Sequence, residues 1–191
     1  PRERIDMIQR EAQASPYYNK KDPPALVARH NMVRAKLVGF TGSTDEIMRR
    51  YPPSDTSLPA QYARAIAAYR NGNSETGLRI LDGLLKAQPK NPYFWELQGQ
   101  INLENGRAGQ AVPGFRKAVS LAPKSGMLKV LLGQALVETG DPSATNEAIK
   151  NLTVGLQVDP NMAIGYRSLA RAYAARGDIA LADLATAQGE F

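Results

Sequence analysis

The chain has 191 residues, 43% hydrophobic and 22% charged, an ordinary globular balance that excludes disorder along its whole length. Its net charge of +6 divides evenly, ten bases against seven acids over residues 1–56 and fourteen against eleven over 57–191. The longest basic runs are pairs, which argues against a nucleic-acid-binding stripe. There is no cysteine, which removes disulfides and thiolate metal sites, and no apolar run near the roughly 20 residues of a membrane span.

The sequence shows no signal peptide, and it starts at Pro1 rather than Met, which reads as a fragment or a processed form. The first predicted element is an amphipathic helix over residues 1–14, where Ile5, Ile8 and Ala12 recur at i, i+3 and i+7. Residues 15–24 (SPYYNKKDPP) have no periodicity and several turn formers. Asp22-Pro23 predicts the start of a helix running through about Gly39, with Leu26, His30 or Val33, and Leu37 on its apolar face. His30, the single histidine, reads there as a partly buried packing residue. Gly42-Ser43-Thr44 introduces a short helix over 45–51, closed by Pro52-Pro53. Asp45 and Glu46 sit at its start, where they complement the helix dipole. Residues 1–57 are expected to form a helical extension that packs on the following region and covers its first face.

From residue 58 onward the chain repeats. LLKAQPKNP (84–92), AVSLAPKSG (118–126) and VGLQVDPNM (154–162) end alike, with Pro89 and Pro123 separated by 34 residues and Pro123 and Pro160 by 37. The three extra residues fall at the loop around Asp141-Pro142-Ser143, between helices, where added length costs little. Four units follow: 58–91, 92–125, 126–162 and 163–191. Small residues recur in the first helix of each (Ala65, Gly99, Gly133, Ala170) and in the second (Gly77, Ala111, Ala148, Ala182). Leu81, Trp95, Phe115, Leu132, Leu152, Leu169 and Tyr173 flank them as core residues, and Gly72, Gly106, Gly140 and Gly177 mark the turns between paired helices. Asn91-Pro92 is a capped helix start. The unit Trp95…Gly99…Ala111…Phe115…Ala118…Pro123 resembles the tetratricopeptide (TPR) repeat family at six signature places. The resemblance implies an all-α solenoid of helical hairpins with about 3.5–4 repeats and extra N-terminal helices. The fourth unit stops before its proline and carries Thr186 at a large apolar place, as a shortened or capping unit would.

No catalytic constellation accompanies this pattern. One histidine and no cysteine cannot supply a zinc site, no serine lies in a nucleophile-elbow pattern, and no Gly-rich phosphate loop occurs. Asn151-Leu152-Thr153 fits a glycosylation acceptor, but it falls in a predicted helix and reads as chance. The chain is therefore expected to be no enzyme, with no cofactor of its own and a protein or peptide as partner.

In TPR proteins the first helices of successive hairpins line a concave groove. By repeat position the resemblance assigns Tyr62, Ile66, Tyr69 and Arg70 to it from the first unit, and Tyr93, Glu96, Gln100 and Glu104 from the second. The third contributes Val130, Gln134 and Glu138, and the fourth Arg167 and Arg171. Tyrosine and arginine combine contact area with directed hydrogen bonds. The basic and asparagine residues of the TPR clamps that hold chaperone tails are absent from these places.

Arg4-Ile5 and SPYYNKKDP, followed by degenerate TPR units, resemble the C-terminal region of the BepA-like bacterial zinc metallopeptidases. That resemblance implies a periplasmic interaction module, with a zinc protease domain preceding it in the parent protein. Its expected partners are that protease domain, outer-membrane protein assembly factors or misassembled substrates. The family's His-Glu-x-x-His helix is absent from this sequence. A free-standing TPR scaffold, in the periplasm or the cytoplasm, is the alternative. A chain whose active site is completed by a partner is a third reading.

Overall fold

The computed structural model of the chain describes residues 2–190, with side chains from residue 4 onward. Pro1, where the predicted first helix begins, and Phe191 of the fourth unit lie outside the described residues. Eleven α-helices occupy the described chain: α1 (Arg2–Ala14), α2 (Pro24–Thr41), α3 (Thr44–Arg50), α4 (Leu58–Arg70), α5 (Ser74–Ala87), α6 (Pro92–Glu104), α7 (Ala108–Leu121), α8 (Gly126–Glu138), α9 (Thr145–Val158), α10 (Ala163–Arg176) and α11 (Ile179–Gln188). The inserted loop forms one 3₁₀ turn at Pro142–Ala144, opened by the Asp141 side chain. The chain is all-α, and α4–α11 pair as four successive hairpins.

Each hairpin closes where a small residue lets its two helices touch. A Cβ added to Gly99 would lie 2.9 Å from the Phe115 ring, and one added to Gly133 would lie 2.5 Å from Leu152. The ring and the leucine thus fill the space that glycine vacates, and both are fully buried. Burying a side chain of this size contributes about 1.5–3 kcal/mol. The hairpin turns carry Gly72, Gly106, Gly140 and Gly177 at φ of +78°, +72°, +67° and +90°. In three of them the amide that follows the turn glycine reaches back to close the turn: Asn73 to Ala68, Arg107 to Asn102 and Asp178 to Tyr173, at 2.9–3.0 Å. Asn91, Ser57 and Ser125 cap α6, α4 and α8 through their side chains.

Neighbouring hairpins are joined by polar ties one repeat apart. Arg107 pairs with Glu75 at 3.0 Å, and the Arg116 Nε donates to Glu147 at 2.9 Å. Arg171 pairs with Glu138, and Asn105 donates to Ser74 at 2.9 Å. The core divides into a cluster spanning the first two hairpins, another spanning the last three, with Phe115 in it, and a third that joins α2 and α3 to α4. Phe115 is fully buried at its signature place, while Trp95 and Tyr173 are half-buried at the edges of the first two clusters. Trp95 donates its indole N–H to the Pro89 carbonyl at 2.8 Å.

The extension departs from its sequence pattern. Helix α2 begins at Pro24, with no side-chain cap from Asp22, and runs to Thr41. It packs on α4 through Ala35, Val38 and Gly39, whereas Leu26, Val33 and Leu37 are 55%, 60% and 61% exposed. His30 is exposed too, which overturns its reading as a packing residue. Close approach explains the inversion. A Cβ on Gly39 would sit 3.0 Å from Ile66 Cβ and 3.2 Å from the Ala63 carbonyl oxygen, a contact the leucine face cannot make. Arg70 donates to the Gly39 and Gly42 carbonyls at 3.1 Å, Asn71 donates to Thr44 at 3.0 Å, and Arg64 donates to the Tyr51 and Pro52 carbonyls. These bonds fasten α2 and α3 to α4. Residues 4–14 of α1 are exposed, including Ile5, Met7 and Ile8, so α1 does not share in that covering.

Candidate functional site

The first helices of the hairpins, α4, α6, α8 and α10, carry the groove places, and the structure treats those places in two ways. At the first hairpin they are covered. Tyr62 is 1% exposed, and Ile66 lies fully buried beneath Gly39 of α2. The Tyr62 ring packs against Phe94, with centroids 5.2 Å apart. Burial drives its phenol pKa far above the ordinary tyrosine value, with Glu96 and Tyr93 acting the same way. Tyr62 is a core residue, not a surface contact, which corrects its assignment to the groove. Val130 is likewise fully buried, with α10 passing at Gly165, where an added Cβ would lie 3.1 Å from it.

Helix α2 also reaches beyond α4. The Lys36 ammonium donates to both oxygens of Glu96 on α6 at 2.9 Å and stands 5.5 Å over the Tyr93 ring. Glu96, predicted to meet a partner, is 4% exposed and already holds a cation of its own chain. Arg70, also assigned to the groove, is taken up by the two carbonyls at the end of α2. Between α2 and Tyr93 lies an apolar cleft of about 390 Å³, lined by Met32, Val33, Leu37, Phe40, Tyr62 and Tyr93, with Arg29 and Lys36 at its rim. Sequence reasoning missed the α2 side of this cleft because it turned Val33 and Leu37 inward.

Beyond Glu96 the groove is open. A depression of about 530 Å³ runs along α6 and α8 to Met162, which precedes α10. Gln100, Glu104, Gln134 and Glu138, all assigned to the groove by repeat position, line it together. Its floor is Leu103, Met127, Leu131 and Met162, together with Phe115. Their signal was available, since Gln100…Glu104 and Gln134…Glu138 are the same Gln-x-x-x-Glu pair exactly one 34-residue period apart. The Tyr69 hydroxyl donates to one Glu104 oxygen and Gln100 donates to the other at 2.9 Å. Burial and this carboxylate raise the Tyr69 pKa, so the phenol stays a neutral donor. Arg171 reaches Glu138 from α10, and Arg167 is exposed on the same helix. Of the thirteen assigned residues, the structure therefore brings Gln100, Glu104, Gln134 and Glu138 to one open surface, with Tyr69 and Arg171 flanking it.

Among the described residues no three His, Cys, Asp or Glu side chains gather as a metal site requires, and no helix is long and apolar enough to cross a membrane. The groove offers apolar area, amides and carboxylates, which is binding chemistry.

Residues 58–186 match the family model of the cytochrome c-type biogenesis protein H TPR domain. Over 165 residues, 83% of the chain, it is 24% identical to the beta-barrel assembly-enhancing protease of Yersinia pestis, of which that stretch is 33%. The protein of the same name from Escherichia coli K12 is 28% identical over 116 residues, 61% of the chain and 23% of the relative. Cellulose synthase operon protein C of the same strain is 30% identical over 111 residues, 58% of the chain and 9% of the relative. The chain thus spans a third or less of the length of these curated relatives. In fold it is similar to MamA from Desulfovibrio magneticus RS-1, with a TM-score of 0.69 and 18% identity over 85% of this chain and 93% of that one.

Proposed function

The chain belongs to the cytochrome c-type biogenesis protein H TPR-domain family, and from that premise we propose that it is the docking arm of a periplasmic zinc metallopeptidase. As a TPR-type module it binds protein; the finer proposal concerns what it serves. It would bring a protease domain of the same polypeptide to outer-membrane protein assembly machinery or to misassembled substrates. Zinc would be held by that domain, and this chain would contribute recognition alone. The observation that carries the reading is the reach of the likeness to the beta-barrel assembly-enhancing proteases. At 165 residues it is longer than the whole repeat region, so it extends into the N-terminal helices that the repeat family model leaves out. The likeness to cellulose synthase operon protein C supports the second reading, a TPR scaffold with no protease attached.

The test is the polypeptide that surrounds this chain in its own organism. A His-Glu-x-x-His helix upstream, one bound zinc per chain, and photocrosslinks from position 134 to a barrel-assembly protein are the expected results. A full-length protein without that helix and without zinc would sink the protease reading and leave the scaffold.

A further inference from the structure

The covered end of the groove shows what its open end is built to hold. At the first hairpin the occupant is a helix of the chain itself, and its mode of engagement has two parts. Small residues, Ala35 and Gly39, allow close contact with α4, and Lys36, between them in sequence, is delivered to the groove carboxylate Glu96. The open stretch carries two further carboxylates that face the same groove. Glu104 and Glu138 stand one repeat apart over an apolar floor of Leu103, Met127, Leu131 and Met162. Methionine side chains adapt to ligands of differing shape, and a floor flanked by two carboxylates complements apolar side chains set beside cations. Glu104 is held only by uncharged donors, Tyr69 and Gln100, while Glu138 already engages a cation of the chain, Arg171. Both modes keep the carboxylates oriented into a groove whose chain as a whole is basic, at +6.

We propose that the open groove between α6 and α8 binds an amphipathic helix of a partner protein that presents lysine or arginine beside small and apolar residues, in the manner of α2. This inference rests on the interaction-module reading and adds the chemistry of the partner. A helix suits the site better than an extended strand because the one occupant visible in the groove is helical, and a helix places its cations and small residues on one face.

The test uses the full-length protein and two fluorescein-labelled synthetic helices, one of Leu, Ala and Lys, the other of Leu, Ala and Glu, followed by fluorescence anisotropy. The lysine helix is expected to bind, with affinity falling as salt rises, and the glutamate helix to bind about tenfold more weakly. Glu104→Gln with Glu138→Gln should lower affinity for the lysine helix by about tenfold, as two exposed ion pairs can. Glu104→Lys with Glu138→Lys should reverse the preference, with thermal melting of each variant confirming that it folds. Equal binding of both helices by the wild type, or binding of the lysine helix that none of these variants alters, overturns the proposal. Photocrosslinking from position 134 separates the two levels. Crosslinks to a protein with no response to either helix leave the interaction module standing and reject the basic helix; neither crosslinks nor helix binding rejects both.

Discussion

Helix α2 and the second helices of the hairpins both pack on first helices, by opposite rules. In the repeats, large residues such as Phe115 and Leu152 fill the space opened by a glycine on the facing helix, and the apolar pattern points inward. In α2 the packing face is the small one, Ala35 and Gly39, and the larger Leu26, Val33 and Leu37 face outward. The difference follows from what each element is packed against. A repeat helix meets a partner whose glycine spacing matches its own large residues. Helix α2 crosses α4 over Ala60, Ala63 and Ala67 and against Ile66, so here the glycine, Gly39, stands on the covering helix and the large residue on the first helix.

The comparison can be broken most severely in the repeats. Phe115→Ala should cost about 4 kcal/mol in urea unfolding followed by Trp95 fluorescence, because it empties the space Gly99 leaves. A loss below about 1 kcal/mol would mean the hairpin does not depend on that fit. Lys36→Met comes next, at about 2 kcal/mol. It strands the buried Glu96 carboxylate, but the lysine is itself 31% exposed, which lowers the cost below that of a fully buried pair. Adding Glu96→Gln should recover part of the loss, and a double-mutant cycle measures the coupling. Gly39→Val should cost about 1.5 kcal/mol through overpacking against Ile66. Its signature is local: amide exchange should quicken across residues 24–41 while 92–158 keep their protection. Uniform acceleration would show that α2 and the repeats unfold as one unit.

Smaller effects sharpen the picture. Arg116 holds the Glu147 carboxyl below its ordinary range through a hydrogen bond. A depressed pKa contributes stability above the unfolded-state value and loses it as pH falls through the folded one. Glu147→Gln should therefore flatten the decline in melting temperature between neutral and acid pH, by well under about 1 kcal/mol because the pair is exposed. Val33→Ser with Leu37→Ser should change stability within about 0.5 kcal/mol, since both side chains face outward. A loss of about 2 kcal/mol would place them in the core after all.

Much of the solenoid is legible in the residues alone. The 34-residue spacing, the four turn glycines and the small places at Gly99, Gly133, Ala111 and Ala148 each describe a contact within one hairpin or between neighbours. Such contacts repeat along the chain, so they leave a period to be read. Part of the groove follows from the same period, as Gln100, Glu104 and Gln134 show. Tyr62, Ile66 and Glu96 escaped because their surroundings are supplied by a helix outside the period, which converts groove positions into core.

The sequence by itself therefore determined the hairpins and the periodic places along their first helices, since these depend on residues a fixed distance apart. Tertiary structure alone decided which end of the groove is filled, which face of α2 is buried, and that Lys36 and Glu96, 60 residues apart, form one partly buried pair. Those outcomes depend on how closely two non-repeating surfaces can approach, and steric fit of that kind leaves no periodic trace in a sequence.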